Sequence, residues 1–286
     1  MLKKVCGGFV LFDKLLYSEM SVIKLILYKN NNFIERVDRM KRSRTFISKL
    51  IGLLLLIVFC WSGLYLFQYA SDEFQIYRLE KELDQEKKDV ISEETGELDV
   101  GELKELHSGS VGWITIEGTA IDYPFLQAED NNYYLNHDCN NHLSIQGSIF
   151  IDYRNKKGKE DQHIILYGHN MKDGTMFHDL NMYNEESFLK DHKYVNIYYQ
   201  DNYSKWEIFS TYSTDPGFDY LQTKFESDAE YLSFINLLVS KSDFSYEGKS
   251  FSEKERLLTL STCSMDLDGG RRVVHARLVG KKTYNH

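Results

Sequence analysis

Proline is nearly missing from this chain, with two in 286 residues. Together with 18 glycines, 20 tyrosines and 17 phenylalanines, that composition excludes a collagen-like chain and argues against intrinsic disorder. Cysteine is scarce as well: there are four, and only Cys139 and Cys263 lie beyond residue 71, too few for a disulfide framework. Basic charge is not in excess. The formal net charge is -9, which speaks against nucleic acid as a partner, because that would need a basic face. Neither an internal repeat nor a glycine-rich phosphate loop occurs. The most informative gap is local: no side chain from residue 50 to residue 71 carries a formal charge.

That gap divides the chain into two oppositely charged pieces. Residues 1–49 hold eleven Lys and Arg against four Asp and Glu, and residues 72–286 hold 23 against 39. The uncharged segment, centred on Leu53-Leu54-Leu55-Leu56-Ile57-Val58-Phe59, is long enough as a helix to cross a hydrocarbon core of about 30 Å. Arg36, Arg39, Lys41, Arg42, Arg44 and Lys49 precede it, and Asp72 and Glu73 follow it. The positive-inside rule then predicts a single-pass cell-membrane protein, with its N-terminus cytoplasmic and its large C-terminal part extracellular. A cleaved signal peptide is the plain alternative. It would have a shorter apolar region and small residues at its cleavage site, where Gln68 before Ala70 and Trp61 before Gly63 are poor. Met40-Lys41-Arg42-Ser43-Arg44 reads as a complete basic start, so translation is expected to begin at Met40 or Met20 rather than Met1, with residues 1–39 a start-site artefact. The expected organisation is a cytoplasmic segment over 1–49, a transmembrane anchor over 50–71, a helical stalk over 72–106 and a barrel domain over 107–282.

The stalk is charge-dense, with Ile76, Leu79, Leu83 and Val90 forming a thin apolar stripe at helical spacing. From His107 onward the pattern turns to short β-type runs separated by turn residues: 112–116, 121–125, 148–151, 163–167, 194–199, 205–214, 257–262 and 272–280. Eight strands suggest a mainly β fold, a closed eight-stranded barrel that leaves no exposed edges. One inserted helix interrupts them at 228–241, with Ser227 as N-cap and Glu230 completing a capping box.

Cys263 closes the run Leu257-Leu258-Thr259-Leu260-Ser261-Thr262-Cys263 and precedes a polar loop, which puts it at a rim. Its plain alternative is a small buried hydrophobe. Arg271 and Arg272 open the next strand. Alternation groups Arg272 with Val274, Ala276 and Leu278, facing inward, and leaves Arg271, His275 and Arg277 on the outer face. An inward arginine at a barrel mouth calls for an anionic partner or a developing oxyanion, and an ion pair with Asp266 or Asp268 would answer equally. Among nine histidines, His169 stands out at the end of Ile164-Ile165-Leu166-Tyr167-Gly168, a strand that closes as the Cys263 strand does. His178 is its nearest rival, and His275 reads as an ordinary outer-face residue. His137, Cys139 and His142 have metal-like spacing, but no fourth ligand completes them.

The segments Tyr167-Gly168-His169-Asn170, Thr259-Leu260-Ser261-Thr262-Cys263 and Arg272-Val273-Val274 resemble, in order and spacing, the three signatures of sortases. Those are membrane-anchored cysteine transpeptidases of mostly Gram-positive bacteria. The helix at 228–241, the N-terminal helical extension and Gly147-Ser148-Ile149-Phe150-Ile151-Asp152 are similar to class B. The resemblance covers about residues 107–280 and implies a sortase-type β-barrel with Cys263, His169 and Arg272 as catalytic residues; inward alternation favours Arg272 over Arg271. It further implies a substrate groove lined by Asn131 and Leu135 of an Asn-x-x-Tyr-Leu segment, by Tyr220 and Leu221, and by Ser261. Some class B members carry an acidic residue directly after the Cys; here Ser264-Met265 intervene before Asp266.

What the resemblance implies chemically is attack of the Cys263 thiolate on the Thr carbonyl of a C-terminal sorting signal, giving a thioester. His169 would protonate the leaving amine and then deprotonate an incoming amine of a peptidoglycan precursor, while Arg272 serves the oxyanion or positions the substrate. The expected partners are secreted proteins bearing that signal, the peptidoglycan precursor amine and, through residues 50–71, the membrane; neither a cofactor nor a metal is called for. Two other readings stay open at this point. A cysteine protease or hydrolase would use the same Cys and His, and a non-catalytic surface-binding domain would use Cys263 as packing.

Overall fold

The computed structural model describes residues 6–89, 109–156, 161–199, 202–215, 217–248, 250–263 and 269–283. The chain separates into two compact units, Met1–Ser71 and Asp72–His286. One helix, α1 (Cys6–Asp89), occupies the first and enters the second. Within α1 lies a stretch long and apolar enough to cross a membrane, and Leu53 through Phe59 are all exposed, as a lipid-facing helix requires. The expected stalk is helical as far as Asp89, and its remaining part, residues 90–106, lies outside the described residues.

In the second unit α1 is docked rather than free. Ile76 and Leu83 are buried, and Leu79 packs against the barrel core, so the predicted apolar stripe does bury itself. Beyond the stripe, Lys87 Nζ lies 2.6 Å from Asp122 Oδ1, and Trp113 Nε1 donates to the same oxygen at 2.7 Å.

The strands are β1 (Ser110–Thr115), β2 (Asp122–Leu126), β3 (Ile149–Ile151), β4 (His163–Tyr167), β5 (Tyr194–Tyr199), β6 (Asn202–Thr214), β7 (Leu257–Cys263) and β8 (Arg271–Thr283). Two short helices, 3-10 at Tyr133–Leu135 and at His178–Asn184, and α2 (Glu186–Asp191) decorate the connections. The barrel closes in the order β1-β2-β3-β4-β7-β8-β6-β5. All neighbours are antiparallel except β2 with β3 and β4 with β7. A parallel pair needs a long crossover, and the β4–β7 crossover contains β5, β6 and the inserted helix α3 (Asp228–Lys241). The eight expected strands and the helix are all present; ladder hydrogen bonds extend β6 and β8 beyond their apolar patterns, pairing Asn202 with Thr283.

Alternation gives the β7–β8 sheet two faces. Leu258, Leu260, Val274 and Ala276 fill the barrel interior, whereas Leu257 and Val273 join Tyr231, Phe234, Ile235 and Leu238 in a second core, where α3 covers the outer face. Ser227 caps α3, its Oγ accepting from Glu230 N at 3.2 Å. Only half of the predicted capping box forms: the Glu230 carboxylate takes Glu226 N and the Gln222 amide instead.

Candidate active site

The parallel pairing of β4 and β7 builds the site. Their register runs from His163 opposite Leu257 to Tyr167 opposite Ser261, and Gly168 N continues it by donating to Ser261 O at 3.3 Å. Parallel strands end on the same side, so His169 and Cys263, each two residues past the last pair, leave the barrel at one end. On the other flank β8 runs antiparallel, with Thr262 opposite Arg272 and Cys263 opposite Arg271. Ser261 and Cys263 belong by register to the outer face, which they share with Leu257 and Val273.

His169 is held from two directions. Its backbone closes a hairpin, Phe177 N donating to His169 O at 2.9 Å, with Asn170 bridged to Met176. Gly168 is required where that hairpin folds back, because a Cβ there would stand 2.9 Å from Cδ2 of Phe177. The ring contacts the opposite wall: His169 Nε2 lies 2.6 Å from Leu135 O. A carbonyl can only accept, so Nε2 carries the proton and Nδ1 is the nitrogen left to exchange one. Gly147, at φ +58°, passes so close to the Leu135 carbonyl that a side chain would strike it.

Among the described residues, the other candidate histidines have neighbours of their own. His137 stacks on Tyr133 at 4.1 Å, His142 faces Asp138 at 3.7 Å, and Cys139 is buried beneath the same loop, so the metal-like spacing disperses. His178 opens its own 3-10 segment.

Arg272 points inward, as alternation predicts, but inward is not where the cysteine's register leads. Its side chain is 1% exposed, with Nη1 2.7 Å from Asp243 Oδ2 and Nη2 2.9 Å from Thr211 Oγ1. It is an ion-paired interior residue that ties the end of α3 to β6 and β8 through Asp243; Asp266 and Asp268, the partners expected from the sequence, lie outside the described residues. Arg271 is the arginine across from Cys263. It is partly exposed, with Nη1 resting on the carbonyls of Gly269 and Gly270 at 3.3 and 3.1 Å.

Comparison with known proteins gives the family. A family model described as the sortase domain matches residues 114–279, more than half of the chain. The chain belongs to the sortase family. Sortase B of Listeria monocytogenes is 36% identical over 249 residues, covering 83% of this chain and 99% of that protein. Sortase B of Staphylococcus aureus is 37% identical over 163 residues, covering 56% and 66%. Among solved structures, Clostridium perfringens sortase B superposes with a TM-score of 0.61 at 36% identity, covering 64% of this chain and 100% of the other. A Staphylococcus aureus sortase B–substrate complex gives 0.66 at 32%, covering 72% and 98%. The relatives place this sortase in class B, and it is a cysteine transpeptidase.

Of the groove residues expected in this sortase, several are occupied within the fold. Asn131 donates from Nδ2 to Asp152 Oδ2 at 3.0 Å and accepts at Oδ1 from Tyr153 N at 3.0 Å. Tyr220, 3% exposed, and Ser261, also 3% exposed, hydrogen-bond to each other at 2.8 Å. That contact pins the 215–226 connection to β7, two residues before Cys263. Leu135, 40% exposed, and the partly exposed Leu221 remain as apolar surface on the two walls.

Beneath the 215–226 connection and α3 runs a buried polar chain of this sortase: Gln222 O to His163 Nδ1 at 2.7 Å, His163 Nε2 to Thr259 Oγ1 at 2.6 Å, Thr259 Oγ1 to His275 Nδ1 at 2.8 Å, and His275 Nε2 to Tyr212 OH at 2.8 Å. Burial lowers the pKa of His163 to about 4 and that of His275 well below the usual 6.5, so both rings stay neutral. Sequence reading treated His275 as an ordinary outer-face residue; the second layer turns that face into a core. Asp152 and Tyr167 fall within segments that the sequence singles out, but neither they nor Arg154 receive a role there; the available signal is a charged residue directly ending the apolar run Ile149-Phe150-Ile151.

Proposed function

We propose that this chain attaches secreted proteins to peptidoglycan, using Cys263 as nucleophile, His169 as proton carrier and Arg271 as oxyanion donor. The Cys263 thiolate attacks the Thr carbonyl of a C-terminal sorting signal; the C–N bond breaks, His169 gives the departing amine a proton, and a thioester remains. An amine of a peptidoglycan precursor then attacks the thioester, His169 taking its proton. Cationic neighbours favour the thiolate over the thiol. Membrane anchoring through residues 50–71, with the N-terminus cytoplasmic and the barrel outside, brings enzyme, exported substrate and lipid-linked acceptor to one surface.

One observation carries the assignment of roles: the registers of β4, β7 and β8 bring His169, Cys263 and Arg271 to the same end of three neighbouring strands. That favours Arg271 over Arg272, whose guanidinium is committed to Asp243 and Thr211. Cleavage of a panel of five-residue sorting-motif peptides, with and without an added amine, tests the function. Wild type should release the leaving peptide and ligate the amine. Cys263→Ala should do neither while keeping its melting temperature. Cleavage by Cys263→Ala would sink the assignment, and cleavage without any ligated product would turn it toward a hydrolase.

A further inference from the structure

Asp152 is a fully buried carboxylate at the end of β3, and the chemistry above gives it no task. It accepts five hydrogen bonds. Oδ1 takes Arg154 N at 2.9 Å and Arg154 Nε at 2.8 Å. Oδ2 takes Arg154 Nη2 at 2.8 Å, Tyr167 OH at 2.8 Å and Asn131 Nδ2 at 3.0 Å. The Arg154 contacts form a local turn and ion pair, sufficient to keep a buried carboxylate charged. The other two lead elsewhere.

Tyr167 is the last residue of β4, two before His169. Asn131 leads into the 3-10 turn Tyr133–Leu135, whose first amide is held by Asp130 Oδ1, and whose Leu135 carbonyl receives His169 Nε2. The connections therefore close a ring: from Asp152 through Tyr167 along the backbone to His169, across to Leu135, back along the turn to Asn131, and to Asp152 again. One oxygen, Oδ2, anchors both the strand that delivers the imidazole and the wall that fixes its orientation. We propose that Asp152 is a positioning residue for His169, acting through Tyr167 and Asn131.

The ionisation states suit that task. Burial raises the Asp152 carboxyl, but the hydrogen bonds from Arg154 and Tyr167 outweigh it and leave the group below its usual range. Burial, then the charge of Asp152, pushes the Tyr167 phenol far above its usual value, so the hydroxyl always donates. Arg154, Tyr167 and Asn131 bond to Asp152 and His163 feels its charge, and none of them changes charge between pH 5 and 9. The ring is a fixed brace.

The inference rests on the function proposed above, and the test separates the two. In the full-length protein, Tyr167→Phe removes one link, and Asp152→Asn replaces Oδ2, or forces the amide to give up its turn at Arg154. Arg154→Gln removes the ion pair while leaving both links in place. Small misplacement of a catalytic group costs rate rather than binding. Tyr167→Phe and Asp152→Asn should therefore each lower kcat about tenfold with KM changed by less than about twofold, and the double variant should be no slower than Asp152→Asn alone. The pH midpoint for alkylation of Cys263 should rise in both, since a displaced imidazolium stabilises the thiolate less. Arg154→Gln should lose melting temperature but keep kcat and the alkylation midpoint. The positioning role is overturned if Arg154→Gln reproduces the kinetic loss, or if Tyr167→Phe and Asp152→Asn leave kcat and the midpoint unchanged. In either case an inactive Cys263→Ala variant still upholds the function, and an active one removes it.

Discussion

The two adjacent arginines offer a sharp test, because one residue of register separates the proposed oxyanion role from a structural one. Removing a preorganised oxyanion donor costs about 10²–10³ in kcat, or about 3–4 kcal/mol of transition-state stabilisation. Arg271→Ala should show that loss, with its melting temperature within about 2 °C of wild type, since Arg271 is partly exposed and surface changes of this kind cost little. Arg272→Met should behave in the opposite way. It deletes a guanidinium that is 1% exposed together with its bonds to Asp243 and Thr211. Met refills the stem, and Asp243, with its side chain 40% exposed, regains water. The net cost is then that of a hydrogen-bonded charged group, about 1.5–3 kcal/mol, which for a domain of this size lowers Tm by about 3–12 °C. Below the transition its kcat should stay within about fivefold of wild type. The assay pairs steady-state cleavage of the best peptide from the motif panel, at 25 °C in detergent, with thermal unfolding followed by circular dichroism. A loss of more than a hundredfold in Arg272→Met at unchanged Tm, with Arg271→Ala fully active, would refute the register argument.

Two further outcomes follow from the buried elements. His163 has a pKa of about 4 folded against 6.5 unfolded, so the unfolded chain binds more protons across that window. Stability should fall as pH drops from 7 toward 4, by about 3 kcal/mol at most for this ring; His163→Gln should lower Tm at pH 7 yet flatten its acid slope, and an unchanged slope would contradict the buried-neutral assignment. Gly168→Ala places a methyl 2.9 Å from Phe177; overpacking of about 1–3 kcal/mol should lower Tm and, by shifting the His169 hairpin, kcat as well, and a variant with wild-type Tm and kcat would show that the close approach is unimportant.

Much of the architecture is legible in the sequence because its signals are local. Apolar alternation and turn residues mark all eight strands, and α3 begins and ends where its cap and 3.6-residue stripe place it. Alternation also sends Arg272 inward correctly. What alternation cannot supply is which strand ends come to lie beside Cys263. That depends on β4 pairing with β7, two segments that meet across the whole crossover, and no short-range pattern encodes the partnership. The groove residues show the same limit. Asn131, Tyr220 and Ser261 have the polarity a substrate contact needs, but whether an amide or hydroxyl is open or already bonded is decided by Asp152, Tyr153 and each other. Glu230 is a smaller instance: its spacing from Ser227 is right for a reciprocal cap, and two other donors reach its carboxylate first.

The placement of β7 between β4 and β8 also constrains the order in which the molecule can assemble. β4 is made early and β7 late, and contacts this distant in sequence form slowly because loop closure is paid before pairing is gained. Until β7 is seated, Cys263 has neither the strand that ends before His169 on one flank nor the strand that opens with Arg271 on the other. The three strand ends that the proposed chemistry needs thus come together only when the barrel is complete, so a nascent or partly unfolded chain lacks the proposed site.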